Sequence, residues 1–274
     1  MKYRLLAIDL DGTLLTDDKR ISERNREALA KAQQCGMHVV ISTGRAWPGA
    51  KAFAAELGLS VPVITSNGAM IVDAVTEEII YKRDLEPEAA KNVLEAGRKN
   101  GVSQIIWSSN RLYGLPVDWR LEDYGRTYGK MTPQPMPPVE TLYDAGISKI
   151  LWYDDPKRIA SFNEQVHADG GDVMPGGLPK DTAAWMSQPT FLEFFHSDVS
   201  KAEALRSVAQ ILGVSMEETV AVGDAPNDIL MLQAAACGVA MGNASESVKA
   251  VADFVTEDNM HDGVAVLTER LLRM

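Results

Sequence analysis

The sequence is poor in the residues that build disulfide frameworks and zinc clusters. Its 274 residues include 2 cysteines, Cys35 and Cys237, and 4 histidines. So few thiol and imidazole groups argue against a disulfide-stapled scaffold and against a zinc cluster. Each cysteine lies just before a glycine at the end of a helix-like stretch, so we expect both to be reduced, partly buried packing residues of a cytoplasmic protein.

Long apolar runs and an excess of basic residues are also missing. No run approaches the ~20 apolar residues that cross a bilayer, and we expect no signal peptide at the N-terminus. The 27 basic and 38 acidic residues give a formal charge of −11. That charge argues against nonspecific nucleic-acid binding and against an anionic membrane surface, so neither is an expected partner.

What the chain does have is a series of short apolar runs alternating with helix-like stretches. The runs at 5–8, 38–41, 61–65, 219–222, 239–241 and 254–256 are typical of strands buried on both faces. Strands that alternate with helices predict an α/β fold with a Rossmann-like parallel sheet. One of the helix-like stretches is predicted to continue to Cys237.

The middle of the chain has a different pattern. Residues 84–192 carry helix-like stretches near 87–99 and 156–168, a turn at 169–171, and strand-like runs near 103–107, 111–113, 148–153, 172–174 and 184–186. This mixture predicts an α+β domain. We therefore expect a core built from 1–83 and 193–274, with 84–192 inserted into it.

Polar residues with catalytic potential follow several of the core strands. Asp9 and Asp11, spaced i, i+2, end the first strand and precede Gly12. Two such acids are either solvated or form a metal-assisted nucleophile and acid/base pair at the carboxyl edge of the sheet. The other strand ends carry Thr43, Gly44 and Arg45, then Asn67, then Asp224, Asn227 and Asp228.

Lys201 is predicted to lie in the first turn of a helix. Ser200 and Glu203 match the S-x-x-E capping box that opens helices. The helix macrodipole disfavours a cation there by roughly 0.3–1 kcal/mol. A lysine in that position either meets an anion or is a solvated side chain that tolerates a small penalty.

Together these strand ends resemble the motifs of the haloacid dehalogenase superfamily. Residues 9–13 (DLDGT) are similar to its first motif, 42–45 (STGR) to its second, Lys201 to its third, and 223–228 (GDAPND) to its fourth. The large insertion between the second and third motifs resembles the Cof-type phosphatases with a type IIB cap, as do 239–244 (VAMGNA) and 262–265 (DGVA). Ala202 departs from the pattern, since many relatives have glycine after the lysine.

The resemblance implies a two-step hydrolysis of a phosphomonoester. Asp9 would attack phosphorus and become an aspartyl-phosphate, and Asp11 would protonate the leaving oxygen and then activate water. Mg²⁺ would be held by the side chains of Asp9 and Asp224 and by the backbone carbonyl of Asp11. The remaining candidates surround the phosphate: Thr43 and Lys201 as catalytic contacts, Gly44, Arg45, Asn67 and Asn227 as substrate- or phosphate-binding residues, and Asp228 as support for the lysine or the metal shell.

The leading interpretation is a Mg²⁺-dependent phosphatase of small phosphorylated metabolites such as sugar phosphates, acting as a monomer or small homo-oligomer. A phosphohexose mutase of the same superfamily is the alternative among enzymes. A phospho-acceptor signalling module uses similar side chains, but here roughly a hundred residues interrupt the sheet, where ordinary loops have ~2–6. A binding protein that lost catalysis has no support, because no motif acid is replaced.

Overall fold

A computed structural model describes residues 2–116, 118–129, 131–168, 172–174 and 176–274, without the side chains of 128 and 129. The turn predicted at 169–171 lies outside the described residues. The chain forms two units: a core unit, Met1–Tyr81 with Ser200–Met274, and an inserted unit, Lys82–Val199. No helix among the described residues is long and apolar enough to cross a membrane.

The first half of the core unit alternates strands and helices before it ends in a small antiparallel sheet. α1 begins after Ser22, whose hydroxyl accepts the backbone N–H of Asn25. In chain order the elements are β1 (Leu5–Ile8), α1 (Glu23–Gln34), β2 (His38–Ile41), α2 (Trp47–Glu56), β3 (Val63–Thr65), β4 (Met70–Val72) and β5 (Ile79–Lys82).

The inserted unit is an antiparallel sheet with helices packed against it. Its elements are α3 (Pro87–Lys99), β6 (Ser103–Ser108), β7 (Arg111–Leu115), α4 (Trp119–Tyr124), a π-helix (Gly125–Gly129), α5 (Val139–Ala145), β8 (Lys149–Tyr153), α6 (Pro156–His167), β9 (Thr182–Gln188) and β10 (Phe191–His196). The strand order is β7-β6-β8-β10-β9. Trp152 is fully buried in its core, with its ring 4.7 Å from that of Phe194, whereas Trp119 is 62% exposed. The α+β character expected for the middle of the chain is confirmed.

The second half of the core unit returns to strands and helices. Its elements are α7 (Lys201–Ile211), β11 (Thr219–Gly223), α8 (Ile229–Ala234), β12 (Cys237–Ala240), α9 (Glu246–Lys249), β13 (Phe254–Val255) and α10 (Gly263–Leu271).

The two halves share one parallel sheet of strand order β13-β12-β11-β1-β2. β1 lies between β11 and β2, with Leu5 opposite both Thr219 and His38. All four residues of β1 are buried, which explains why the strand is apolar throughout. Because the strands run in the same direction, their carboxyl ends meet at one edge. The predicted Rossmann-like core is confirmed.

Four details differ from the sequence-based expectations. β10 belongs to the inserted unit because it pairs with β8 and β9, so the second boundary falls after Val199 and not after residue 192. Residues 172–174 form bends and not a strand. α8 ends at Ala234, since Cys237 pairs with Val220 in the parallel sheet. Cys35 is exposed, whereas Cys237 is buried.

Candidate active site

Lys201 is the buried cation at the centre of the site. It is the first residue of α7, which begins here because the Ser200 hydroxyl accepts the backbone N–H of Glu203 at 3.1 Å. Its Nζ donates to Asp9 Oδ1 and to Asp228 Oδ1, each at 2.6 Å. Burial lowers the pKa of Lys201, but these two carboxylates outweigh burial and raise the pKa above its usual value. The lysine therefore stays charged inside the protein.

Asp228 fixes Lys201 relative to the loop that follows β11. While its Oδ1 binds the lysine, its Oδ2 accepts the backbone N–H groups of Asp224 and Ala225, both at 3.1 Å. The residue is completely buried. Since both carboxylate oxygens already have hydrogen-bond donors, Asp228 is suited to positioning the lysine.

Asp224 lies against the loop that follows β1. Its Oδ1 accepts the Thr13 hydroxyl at 2.8 Å. Gly12 has a φ of +78°, and a Cβ at this position would lie 2.4 Å from Asp224 Oδ2. Glycine is required here for two reasons: it tolerates the left-handed backbone conformation, and it has no Cβ that would collide with the Asp224 carboxylate.

The site has more buried negative charge than its lysine balances. One oxygen each of Asp9, Asp224 and Asp228 lies within 4.8 Å of the others. Burial raises the pKa of Asp9 to about 8, even though Lys201 lowers it. Burial likewise raises the pKa of Asp224 to about 6, against the lowering effect of the Thr13 hydrogen bond. A cluster of oxygen donors short of positive charge fits a hard divalent cation.

Asp11 has an electrostatic environment opposite to that of Asp9. Arg45 donates two hydrogen bonds to it, from Nε to Oδ2 at 2.6 Å and from Nη2 to Oδ1 at 2.7 Å. Lys19 Nζ donates a third to Oδ1 at 2.9 Å. Burial alone would raise the pKa of Asp11, but the hydrogen bonds from Arg45 and Lys19 outweigh it and lower the pKa to about 2. Asp11 is thus held ionised.

The Arg45 guanidinium has three contacts that fix its position. Besides Asp11, its guanidinium donates to the Gly49 carbonyl at 3.2 Å and lies 5.2 Å from the ring centre of Phe53. Its backbone N–H donates to the Thr43 hydroxyl at 3.1 Å. Sequence reasoning made Arg45 a phosphate-binding candidate, whereas here its fork is engaged by a carboxylate.

The turn after β3 brings four of the candidate residues together. Asn67 has a φ of +58° and its backbone N–H donates to the Thr43 carbonyl at 3.0 Å. Its side-chain oxygen accepts the Asn227 amide at 2.9 Å. A Cβ on Gly44 would lie 2.8 Å from that same oxygen. Asn67 thus links the second motif, which contains Thr43, to Asn227 of the fourth motif.

This turn is also strained and tightly packed. Ser66, Asn67 and Gly68 all have positive φ, and a Cβ on Gly68 would lie 2.2 Å from the Ser200 carbonyl. Non-glycine residues in the left-handed region cost on the order of 1–3 kcal/mol each and concentrate at functional sites. The close approach places the start of α7, and so Lys201, directly beside the turn.

The structure also shows polar partners that sequence reasoning missed. Thr13 binds Asp224 although the sequence indicates it only as part of the first motif, and Lys19 binds Asp11 although no motif contains it. Thr13 had a detectable signal, since it follows Gly12 directly in the acidic loop. Lys19 had none, because only the folding of the loop brings it back to Asp11.

Comparison with known proteins identifies the family of the chain. The sequence model of the haloacid dehalogenase-like hydrolases matches residues 6–267. The chain is 34% identical over 267 residues to the 5-amino-6-(5-phospho-D-ribitylamino)uracil phosphatase YcsE of Bacillus subtilis, covering 96% of this chain and 93% of that protein.

Solved structures show the same fold. A haloacid dehalogenase-like hydrolase from Bacteroides thetaiotaomicron superposes with a TM-score of 0.84 at 30% identity, covering 98% of this chain and 99% of its own. The haloacid dehalogenase subclass IIB sugar phosphatase BT4131 superposes with a TM-score of 0.80 at 25% identity, covering 99% and 100%. The chain therefore belongs to the haloacid dehalogenase-like hydrolase family and is a phosphatase of its Cof type.

Proposed function

We propose that the protein is a Mg²⁺-dependent phosphatase that hydrolyses small phosphomonoesters, sugar phosphates or related metabolites, through an aspartyl-phosphate. The observation that carries the proposal is the pairing of buried Lys201 with Asp9, 2.6 Å apart, beside the carboxylate of Asp224. A carboxylate nucleophile, a fixed cation and a second carboxylate are the groups that phosphoryl transfer requires, because catalysis there is mostly positioning and electrostatic stabilisation.

Asp9 and Asp224 are the side chains proposed to hold Mg²⁺, with the backbone carbonyl of Asp11 as a third ligand. Their raised pKa values support this assignment, because a cation would relieve the charge that burial leaves uncompensated. When bound, the ion would neutralise charge on the transferred phosphoryl group. Asp228 is less suited as a direct ligand, since both of its oxygens accept other hydrogen bonds.

In the first step an oxygen of Asp9 attacks phosphorus, the bond from phosphorus to the ester oxygen breaks, and Asp11 gives that oxygen a proton. In the second step Asp11 takes a proton from water, the water oxygen attacks phosphorus, and the bond to Asp9 breaks to release inorganic phosphate. Lys201 and Thr43 hold phosphate oxygens during both steps.

The environment of Asp11 sets its protonation state. Held by Arg45 and Lys19 with a pKa of about 2, Asp11 is in the ionised form with which the second step begins, but the same hydrogen bonds make it a weak base. To act as an acid it must first be protonated, which requires that the hydrogen bonds from these two cations be loosened. We infer that substrate binding competes for both Arg45 and Lys19 and thereby frees Asp11.

The substrate class is inferred from the relatives. YcsE is a phosphatase of a ribitylamino-uracil phosphate and BT4131 is a sugar phosphatase. Both names describe phosphate esters of polyhydroxylated carbon chains, which supports a small sugar-like phosphomonoester here. The cytoplasmic location and the monomeric or small homo-oligomeric state stay predictions.

The test is phosphate release from a panel of phosphorylated metabolites, with and without Mg²⁺, by the wild-type protein and by Asp9→Asn. We expect EDTA to abolish turnover, Mg²⁺ to restore it, and Asp9→Asn to remove it while circular dichroism stays unchanged. Undiminished hydrolysis by Asp9→Asn would refute the proposal. Isomerised sugar phosphate in place of free phosphate would indicate the mutase.

A further inference from the structure

Asn243 contacts the loop that follows β1. It follows β12 and lies in the 239–244 stretch that no step of the proposed reaction uses. Its Nδ2 donates to the Gly12 carbonyl at 2.8 Å, and its Oδ1 accepts the backbone N–H of Asn259 at 3.2 Å. These two contacts orient the amide, because the reverse orientation would place oxygen against oxygen at Gly12.

Asn259 binds the same loop at its other end, near Leu15. Its Nδ2 donates to the Leu15 carbonyl at 3.0 Å and to Asp17 Oδ1 at 3.2 Å, and the residue is 5% exposed. Asn243 and Asn259 therefore hold the turn between Gly12 and Leu15 at both ends. Asn259 is buried and anchors Asn243, which is itself exposed.

The contact at Gly12 matters because glycine leaves the backbone on either side of it free to rotate. The preceding peptide carries the carbonyl of Asp11, and the following residue is Thr13, whose hydroxyl binds Asp224 at 2.8 Å. A rotation about Gly12 would displace both groups. It would also move the Gly12 Cα away from the Asp224 carboxylate against which it packs.

We propose that Asn243 is a positioning residue for the reaction. By binding the Gly12 carbonyl, it fixes the positions of the Asp11 carbonyl and the Thr13 hydroxyl relative to the Asp224 carboxylate. The inference rests on the proposed function. Residues that orient metal ligands typically contribute about 10–100-fold to metal affinity or activity. Loss of the Asn243 contact should therefore weaken Mg²⁺ binding more than substrate binding.

Two variants separate the contacts of Asn243. Asn243→Leu removes both hydrogen bonds in a side chain of similar size. Asn243→Asp keeps an oxygen for the Asn259 N–H but replaces the donor to Gly12 with a second oxygen, which repels the Gly12 carbonyl. By charge alone the added carboxylate would tighten cation binding, so weaker Mg²⁺ binding in this variant points to the lost contact. Ser247→Ala is the control, because Ser247 is exposed in α9 and its hydroxyl contacts the Ser245 hydroxyl at 3.0 Å.

The probe substrate is p-nitrophenyl phosphate, and the ligand for the binding measurement is Mg²⁺ alone. We expect both Asn243 variants to raise the half-saturating Mg²⁺ concentration about 10-fold and to lower kcat, with KM within about twofold. The rise in Tm that Mg²⁺ produces in the wild-type protein should shrink in both variants, and Ser247→Ala should match the wild type in every measurement.

A lower Tm with unchanged kcat and unchanged Mg²⁺ response would overturn the inference, because it would assign Asn243 a structural role only. This outcome is recognised by comparing the variants with a wild-type protein that shows Mg²⁺-dependent phosphate release. A wild-type protein without Mg²⁺-dependent phosphate release would instead contradict the proposed function, and the inference with it.

Discussion

Lys201 Nζ lies 2.6 Å from Asp9 Oδ1, although 192 positions separate the two residues in the sequence. The contact is buried, and Asp228 provides a second carboxylate at the same distance. A lysine in this position offsets the repulsion between a nucleophilic carboxylate and the anionic phosphate that it attacks. It also lowers the cost of ionising Asp9, whose pKa burial raises to about 8.

Lys201→Met is expected to lower both stability and activity. The substitution leaves two buried carboxylates without their cation, and breaking a buried ion pair typically costs about 3–5 kcal/mol. Loss of a fixed charge at the reacting phosphate typically lowers kcat about 10²–10³-fold. Urea unfolding and phosphate release measure the two effects separately.

The control is Lys249→Met, which removes a partly exposed cation 3.5 Å from the exposed Glu246 of the same unit. Exposed pairs contribute roughly 0–1 kcal/mol, so this variant should be nearly as stable as the wild type. Equal losses of stability in the two lysine variants would contradict the central role of Lys201.

Asp11→Asn should affect substrates according to their leaving groups. General acid–base catalysis contributes about 10²–10⁴-fold, so hydrolysis of a sugar phosphate should fall by that factor. p-Nitrophenolate leaves readily without a proton, so formation of the aspartyl-phosphate from p-nitrophenyl phosphate should be slowed less. Rapid-quench measurement of the first turnover on both substrates tests this, and an identical loss on both would argue against the acid role.

Gly12→Ala should disturb the site beyond the strain of the left-handed backbone. Its Cβ would meet Asp224 Oδ2 at 2.4 Å, whereas a Cβ at Gly36 (φ +88°) would meet none of the described atoms within 4 Å. Both alanine variants should lose roughly 1–2 kcal/mol of stability from backbone strain. Only Gly12→Ala should also lose activity, since only there must the Asp224 carboxylate move. Full activity of Gly12→Ala, measured beside Gly36→Ala, would rule out this account.

Removal of divalent metal should make stability fall as the pH rises. In the metal-free protein the pKa values of Asp9 and Asp224 are raised to about 8 and about 6, so the folded state binds protons that the unfolded state lacks above pH ~4. Stability therefore decreases between about pH 4 and pH 8. Calorimetry in EDTA should show Tm falling across this range.

Mg²⁺ should weaken this dependence, because a bound cation favours the ionised carboxylates. Asp9→Asn in EDTA should show a shallower fall in Tm than the wild type, since Asn has no proton to release. A Tm in EDTA that is constant or rises between pH 5 and pH 8 would show that the two carboxylates are not held protonated.

The position of the site could be predicted from the sequence because its residues end apolar strands. Asp9, Thr43 and Asp224 follow runs that are buried on both faces, and parallel strands bring their carboxyl ends to one edge. The confirmed core fold follows from the same local pattern. Lys201 could be placed at a helix start because the N-cap signal of Ser200 is also local.

Tertiary structure decided which of these side chains meet. The sequence suggested phosphate for Arg45, whereas packing pairs it with Asp11, and nothing local to either residue predicts that contact. Similarly, β10 is apolar enough to suit either unit, and only its pairing with β8 and β9 assigns it to the inserted one.

By itself, then, the sequence determined the parallel core, the insertion and the edge at which the acids gather, because periodicity and strand ends are encoded by neighbouring residues. Tertiary structure alone decided that Asp9 lies against a lysine and that burial raises the pKa of Asp9. It also decided that Arg45 and Lys19 keep Asp11 ionised. The physical reason is that pKa values and hydrogen-bond partners depend on burial and on charges brought from distant segments, which only folding sets.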